Sequence, residues 1–283
     1  MRSAVDDPPR RRRTATRLST GLFPAAVWLA SGLLLAFILL PVIGLVSTSS
    51  PSSLDAALAD AEIRQALLVS VQDAAITAAI ATVLGVPLAY LLARHRFPGH
   101  ALVQAVVDLP LAIPHTVAGI ALLFVFGRTG WIGAPLETTG LSFYGNHAGI
   151  VVAMLFVSAP FAVNSARVAF EALDPNVERA ARSLGATPGQ TFRRVSIPLA
   201  WRGVLTGAVL VYARSISEFG AVVILAYYPA TAPVTIYNLF LSSGLTASAS
   251  AAVLLLLVAL ATFLVLRTLA SGRLLAGAER LRR

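Results

Sequence analysis

The chain has no cysteine and no lysine, and each absence closes off some chemistry. Without thiols there is no disulfide framework and no thiolate metal site. Without a lysine amine there is no Schiff base and no P-loop lysine to hold phosphates, so nucleotide-derived energy has to come from another chain. Charge is scarce too: 12% of the 283 residues are charged and 57% are hydrophobic, where soluble domains are about a quarter charged. The 22 basic residues, all arginine, outnumber 13 acids and leave a formal net charge of +9. On a solvated surface that balance would suggest nucleic acid, but here the arginines collect between long apolar blocks, the pattern of membrane orientation. The chain reads as an all-α integral membrane protein in a lipid bilayer, with no nucleic-acid partner.

Crossing a hydrocarbon core of ~30 Å takes ~20 apolar residues at 1.5 Å each. Six windows meet that requirement, at about 22–47, 66–93, 101–126, 148–170, 203–227 and 249–269. The first is too long for a signal-peptide core and has no A-x-A exit, so it counts as a transmembrane helix. The expected organisation is a basic segment 1–21, the first span 22–47, a five-helix core 66–269 and a tail 270–283. With the first end inside, the cytoplasmic side collects Arg10 to Arg13, Arg94, Arg96, Arg179, Arg182, Arg193, Arg194, Arg202, Arg267 and Arg273, while the outer loops hold only Arg64 and Arg128. That bias predicts cytoplasmic termini in a multi-pass cell-membrane protein. Gly85–Pro87, Pro110, Pro114 and Pro160 are expected to interrupt their helices. No internal repeat is visible, which weighs against a secondary transporter built from two related halves.

Between the fourth and fifth windows lies a polar stretch, "ERAARSLGATPGQTFRRVSIPLA", within a loop over 171–200. Asp174 before Pro175 supplies an N-cap and a first helical residue that needs no donor. Val177, Ala180, Ala181 and Leu184 then recur on one small apolar face, and Gly185 ends the run. Thr187-Pro188 starts a second short helix with Phe192 and Val195 on one side and Arg193 and Arg194 on the other. Two short amphipathic helices here either rest among lipid headgroups or form a knob that docks in a groove of a cytoplasmic partner. The absence of any motor motif in the chain favours the knob.

This stretch resembles the signature loop of ABC importer permeases: Glu-Ala-Ala, three residues, Gly, nine residues, then Ile-x-Leu-Pro. Ala180, Ala181 and Gly185 keep the spacing, and Val195, Ile197 and Pro198 fall at the last three positions. Arg179 stands where the family has Glu, with the acid one residue earlier at Glu178. The resemblance implies a type I importer fold of six transmembrane helices with a cytoplasmic coupling helix between the fourth and fifth. It further implies a dimer working beneath an extracytoplasmic binding protein and above two ABC ATPase subunits, which hold the ATP and Mg²⁺; no cofactor is expected in this chain. "DLPLAIPHTVAGIALLFVFG" and "ARSISEFGAVVILAYYPATAPVTIYNLF" are similar to permeases of molybdate and tungstate importers, with sulfate and thiosulfate permeases as the near alternative. Either branch implies a tetrahedral oxyanion as cargo, and one symmetric subunit suits a homodimer.

Arg214 and Glu218 are four residues apart on one face of the fifth window. A charge there costs at least ~2.5–3.5 kcal/mol on insertion scales, so both are expected to face protein or water. They are either a structural ion pair or part of the path, with Arg214 attracting an anion, Glu218 limiting its affinity and Ser215 and Ser217 adding donors. His115, after Pro114, is either a further donor in the path or a buried structural histidine. Asp73 and Asp108 read as hydrogen-bonded to neighbouring helices, since a carboxylate repels an oxyanion. His95, His100 and His147 have no metal-site spacing, and no nucleophile, base and orienting acid form a catalytic set. The chain is therefore expected not to be an enzyme. The rival from another class is a proton-coupled transporter using Asp73, Asp108 or Glu218.

Overall fold

The computed structural model describes residues 22–270 and consists of two units, 1–47 and 48–283. The expected basic segment 1–21, and the tail after Ala270, lie outside the described residues.

The first unit contributes α1, Leu22–Ser47, 26 residues that run through Pro41 without a break. From Phe23 to Ser47 none of its residues is buried within the unit, as a helix solvated by lipid requires.

The second unit opens with α2, Pro51–Ala59, and α3, Ala61–Arg94. Asp60 separates them, its Oδ1 accepting from the backbone N–H groups of Glu62 at 2.8 Å and Ile63 at 3.2 Å. Arg64 donates back to the carbonyls of Leu58 and Ala59 and so closes the end of α2. The chain continues through α4 (His100–Ala112), α5 (His115–Phe126), the short α6 (Gly133–Glu137) and α7 (His147–Glu171). After α8 (Pro175–Ser183) and α9 (Pro188–Thr191), a π-type turn over Phe192–Ser196 leads into α10, Ile197–Ile216. The short α11 (Val222–Leu225) and α12 (Ala232–Ala270) complete it, with α12 kinked at Gly244, whose φ is +82°.

α3, α7 and α10 pack on one another as the centre of the bundle, around Ala74, Met154, Val157, Val211 and Ile216. Lipid removes the usual hydrophobic drive between helices, so close backbone approach has to supply the attraction. Gly203 and Gly207, four residues apart, provide it. A Cβ on Gly203 would collide with that of Ala169, and one on Gly207 would sit 3.1 Å from Ser165 Cβ and 3.3 Å from Ala162 Cα.

Two expected spans are discontinuous. The 101–126 window bends by 115° between α4 and α5. Pro114 has no N–H to donate and holds Ile113 in an extended conformation, at φ −82° and ψ 131°. The 203–227 window stops as a helix at Ile216, and α11 resumes only at Val222. The other expected interruptions are absent: Pro87, Pro110 and Pro160 each lie inside a helix.

Candidate functional site

Two groups of chemistry-bearing residues stand out, one at an end of the bundle and one where the discontinuous spans meet.

At the end of the bundle, α8 and α9 form the expected pair of short helices. Asp174 Oδ1 accepts from Asn176 N at 2.9 Å, and Gly185, at φ +89°, closes α8. The N–H of Ala186 reaches the carbonyl of Ala181 at 3.1 Å and that of Gly185 reaches Arg182 at 3.0 Å, the two bonds of a Schellman ending. Thr187 and Gln190 make a reciprocal capping box at the start of α9.

Glu178 departs from its expected place among residues offered to a partner. It is buried and points into the bundle, where both carboxylate oxygens lie 3.1 Å from Arg94 Nε at the end of α3. Ser196 Oγ donates to it at 2.8 Å and Tyr90 Oη at 3.4 Å. The rings of Tyr90, Phe170 and Phe192 cluster beside this pair, with the Tyr90 and Phe192 centroids 4.7 Å apart. Ile197 packs in the same layer and Pro198 opens α10, so the second half of the loop motif forms the root of the knob. Ala180 and Arg179 are exposed, as are Arg193 and Arg194, while Ala181 and Val195 are half-buried. The apolar residues Val177 and Leu184 remain uncovered, Leu184 at 89% exposure. α8 thus turns its acid inward, while Val177, Ala180 and Leu184 are exposed along with Arg179 and Arg182.

The second group gathers where α10 ends and α5 begins. Arg214 Nη2 donates to Glu218 Oε2 at 2.7 Å, and His115 Nδ1 lies 2.8 Å from the same oxygen. Arg214 Nη2 also lies 2.6 and 2.9 Å from the two ring nitrogens of His115. Glu218 Oε1 accepts from Ala221 N at 2.9 Å and so fixes the turn before α11. Glu218 is buried, whereas the side chains of Arg214 and His115 are 25% and 43% exposed. The arginine and histidine side chains are thus partly open while the carboxylate they share is enclosed. Gly220 lets the turn close on α5, since a Cβ there would meet His115 Cβ at 2.8 Å.

Ser215 and Ser217 do not join this group as expected. Ser215 is buried and bonded to Ser158 Oγ at 3.0 Å, and Ser217 donates to the carbonyl of Arg214 at 3.1 Å. Asp73 is held by His147 Nδ1 of α7 at 3.0 Å, and Asp108 by Asn164 Nδ2 of α7 at 2.6 Å and by Gln104 Nε2 of its own helix at 2.8 Å. His147 is the first residue of α7, which Asn146 caps by accepting from Gly149 N at 3.0 Å. The Glu178–Arg94 pair left no local signal, because 84 residues separate its partners.

Residues 81–274 match the model of the family described as "binding-protein-dependent transport system inner membrane component". The chain belongs to this family. It is 43% identical, over 83% of its length and 91% of the relative's, to a molybdate/tungstate transport system permease protein of Thermococcus kodakarensis. It is 36% identical, over 72% of its length and 75% of the relative's, to a probable sulfate transport system permease protein of Nephroselmis olivacea. Among solved structures, a bacterial ABC transporter involved in import of the acidic polysaccharide alginate matches with a TM-score of 0.69, covering 87% of this chain and 96% of that one at 18% identity. The permease is thus a multi-pass membrane protein of the type I importer fold and a transport component, not an enzyme.

Proposed function

We propose that this permease forms the transmembrane path of an ATP-driven importer for a tetrahedral oxyanion of the molybdate and tungstate class. Supporting the cargo is the fuller and closer likeness to a molybdate/tungstate permease, 43% over 83% of the chain against 36% over 72% for the sulfate relative. Two copies are proposed to enclose the path, so that Arg214 and His115 are presented twice. Their donors attract a dianion, while Glu218 offsets part of the charge and keeps residence short, as conduction requires.

The knob over 174–198 is proposed to dock on ATPase subunits, which bind ATP and Mg²⁺ and supply the energy. An extracytoplasmic binding protein delivers cargo from the opposite face. The arginine-rich loops, the knob and both termini are assigned to the cytoplasm by the charge bias. ATP binding drives alternating access to the extent that the ATPase dimer holds the outward- and inward-open states with different affinity.

The observation carrying the path assignment is the convergence of His115, Arg214 and Glu218 where two spans are broken. Interrupted helices with polar groups at membrane depth are tolerated where they face protein or a water-filled cavity. The test is uptake of labelled tungstate by cells carrying the permease, its ATPase and its binding protein, in competition with molybdate, sulfate and thiosulfate. ATPase-dependent uptake blocked by molybdate and not by sulfate is expected. Block by sulfate transfers the cargo to the sulfate branch, and uptake indifferent to an ATPase-dead partner refutes the ATP-driven mechanism.

A further inference from the structure

We propose that the cavity between α8 and the end of α3 binds a tetrahedral oxyanion of the phosphate class, held by Arg179, Arg182 and His95 in front of the Arg94–Glu178 pair. Two sources present that chemistry at this place: the phosphate of an anionic lipid headgroup and a free inorganic oxyanion. The site is built from other residues than the His115–Arg214–Glu218 group, and it does not depend on which partner the knob meets.

The wall of the cavity carries the argument. Its volume is ~440 Å³, within the ~300–1,000 Å³ typical of ligand pockets and well beyond the space of one water. Arg94 and His95 enter it from the end of α3 and Arg179 and Arg182 from α8, and Glu178 is the one carboxylate among them. Residues 178 and 182 are one turn apart and 179 adjoins 178, so the three side chains leave the same side of α8. Glu178 is already engaged: both oxygens lie 3.1 Å from Arg94 Nε, and one accepts from Ser196 Oγ at 2.8 Å. That matches one positive charge with one negative charge. Arg179 and Arg182 are left over, and among the described residues neither forms an ion pair. Arg182 Nε reaches only the carbonyl of Glu178, at 3.4 Å, and the side chains of Arg179 and His95 make no hydrogen bond among the described residues. Two guanidinium groups on one side of a helix repel each other unless an anion lies between them. Their planar forks match the paired oxygens of a phosphate-like anion.

Depth adds a second argument. Arg94 is the last residue of α3 and directly follows the apolar window 66–93. The cavity therefore lies just beyond the hydrocarbon, at the level of lipid phosphates, where basic pockets between helix ends take up anionic headgroups. Arg193 and Arg194 make the contrast: they are exposed too, but neither lines the cavity. An anion in the cavity would touch arginines of α8 on one side and the tip of α3 on the other. It would thus add a second bridge to the one ion pair that seats the knob on the bundle.

The test places the full-length permease in phosphatidylcholine nanodiscs and follows amide hydrogen exchange across α8, with the region around Met154 as internal reference. In one arm inorganic phosphate is added against chloride at matched ionic strength. In the other, phosphatidylglycerol replaces part of the lipid. One or both should slow exchange in α8 by at least about threefold, the factor for a ligand at twice its dissociation constant, and leave the reference unchanged. R179Q/R182Q should abolish the slowing, while R193Q/R194Q, which alters arginines outside the cavity, should keep it. A response to phosphate in neutral lipid supports the site and identifies a free oxyanion; a response to phosphatidylglycerol alone supports it and identifies the headgroup. No response of the unchanged chain to either anion overturns the site, whatever the variants do. Equal loss of the response in both arginine pairs assigns it to diffuse charge and overturns the site as well. If neither anion slows exchange but the ATPase does, in a manner lost in R179Q/R182Q, the arginines meet the protein partner and the proposal fails.

Discussion

Replacing Glu178 with Gln tests whether the knob is anchored as the structure describes. The substitution preserves shape and leaves an oxygen to accept from Ser196, but removes the charge facing Arg94, whose side chain is 11% exposed. Arg94 keeps one weaker contact, from Nη2 to the Leu173 carbonyl at 3.3 Å. A hydrogen bond to a charged group contributes about 1.5–3 kcal/mol, and breaking a buried pair by removing one partner costs about 3–5 kcal/mol. With Gln filling the site, a cost of about 2–3 kcal/mol follows, roughly 30- to 150-fold in the equilibrium for detaching α8. The pair joins the knob to the bundle and lies outside the central packing, so the loss is local. Amide hydrogen exchange should accelerate by that factor across Val177–Ser183 and stay unchanged around Met154. Arg94→Gln should reproduce the effect, and the double variant should be little worse than either single one. Additive effects, or unchanged exchange in α8, would refute the anchoring role.

Three further outcomes follow from the packing. Glu218→Ala should destabilise by about 1–3 kcal/mol, because it leaves the N–H of Ala221 without its acceptor and removes the carboxylate shared by the partly exposed Arg214 and His115; thermal unfolding in detergent measures this, and an unchanged midpoint contradicts the arrangement. Gly203→Leu should separate α10 from α7 and cost at least about 1–3 kcal/mol as overpacking, whereas Gly32→Leu in α1, where a Cβ meets nothing within 4 Å, should be nearly neutral in the same assay. Gly185→Ala should cost about 1 kcal/mol through its left-handed backbone alone, appearing as faster exchange at the end of α8 with the bundle unaffected.

What the sequence made legible was whatever the membrane or the backbone dictates locally. The apolar windows follow from hydrocarbon thickness. The knob's punctuation follows from the few residues that can cap, start or end a helix, and Asp174, Pro175, Gly185, Thr187 and Pro188 all act in those places. Proline was a poorer guide: Pro114 breaks its span and Pro87, Pro110 and Pro160 do not, and a span tolerates proline wherever its surroundings re-satisfy the freed backbone groups, which the local sequence does not encode. Arg214 and Glu218 were visible as a pair from their spacing, but not the end of the helix at Ile216. That ending depends on Glu218 bonding Ala221 N and on His115, 103 residues away in the chain. The inward turn of Glu178 was hidden for the same reason, and Ser215, which looked like a path donor beside Arg214, is aimed at Ser158 on the opposite side.

The two sites are linked by the element between them. Ser196, which donates to Glu178, immediately precedes α10, and Arg214 lies near the other end of that helix, ~26 Å away at 1.5 Å per residue. Gly203 and Gly207 press α10 onto α7 along this length, so the helix moves with its packed partner rather than bending alone. A pull on the knob enters through Arg94 and Ser196, at the tips of α3 and α10, and emerges at the turn held by Glu218. Arg214 and Glu218 belong to the same end of α10 and travel together. His115 belongs to α5, beyond the break at Pro114, so its contacts with Glu218 and Arg214 are the ones that such a movement loads. On the proposed reading of the knob, a change of state there acts on the polar bridge that His115 makes with Arg214 and Glu218 between the two discontinuous spans, where the donors proposed to meet cargo lie.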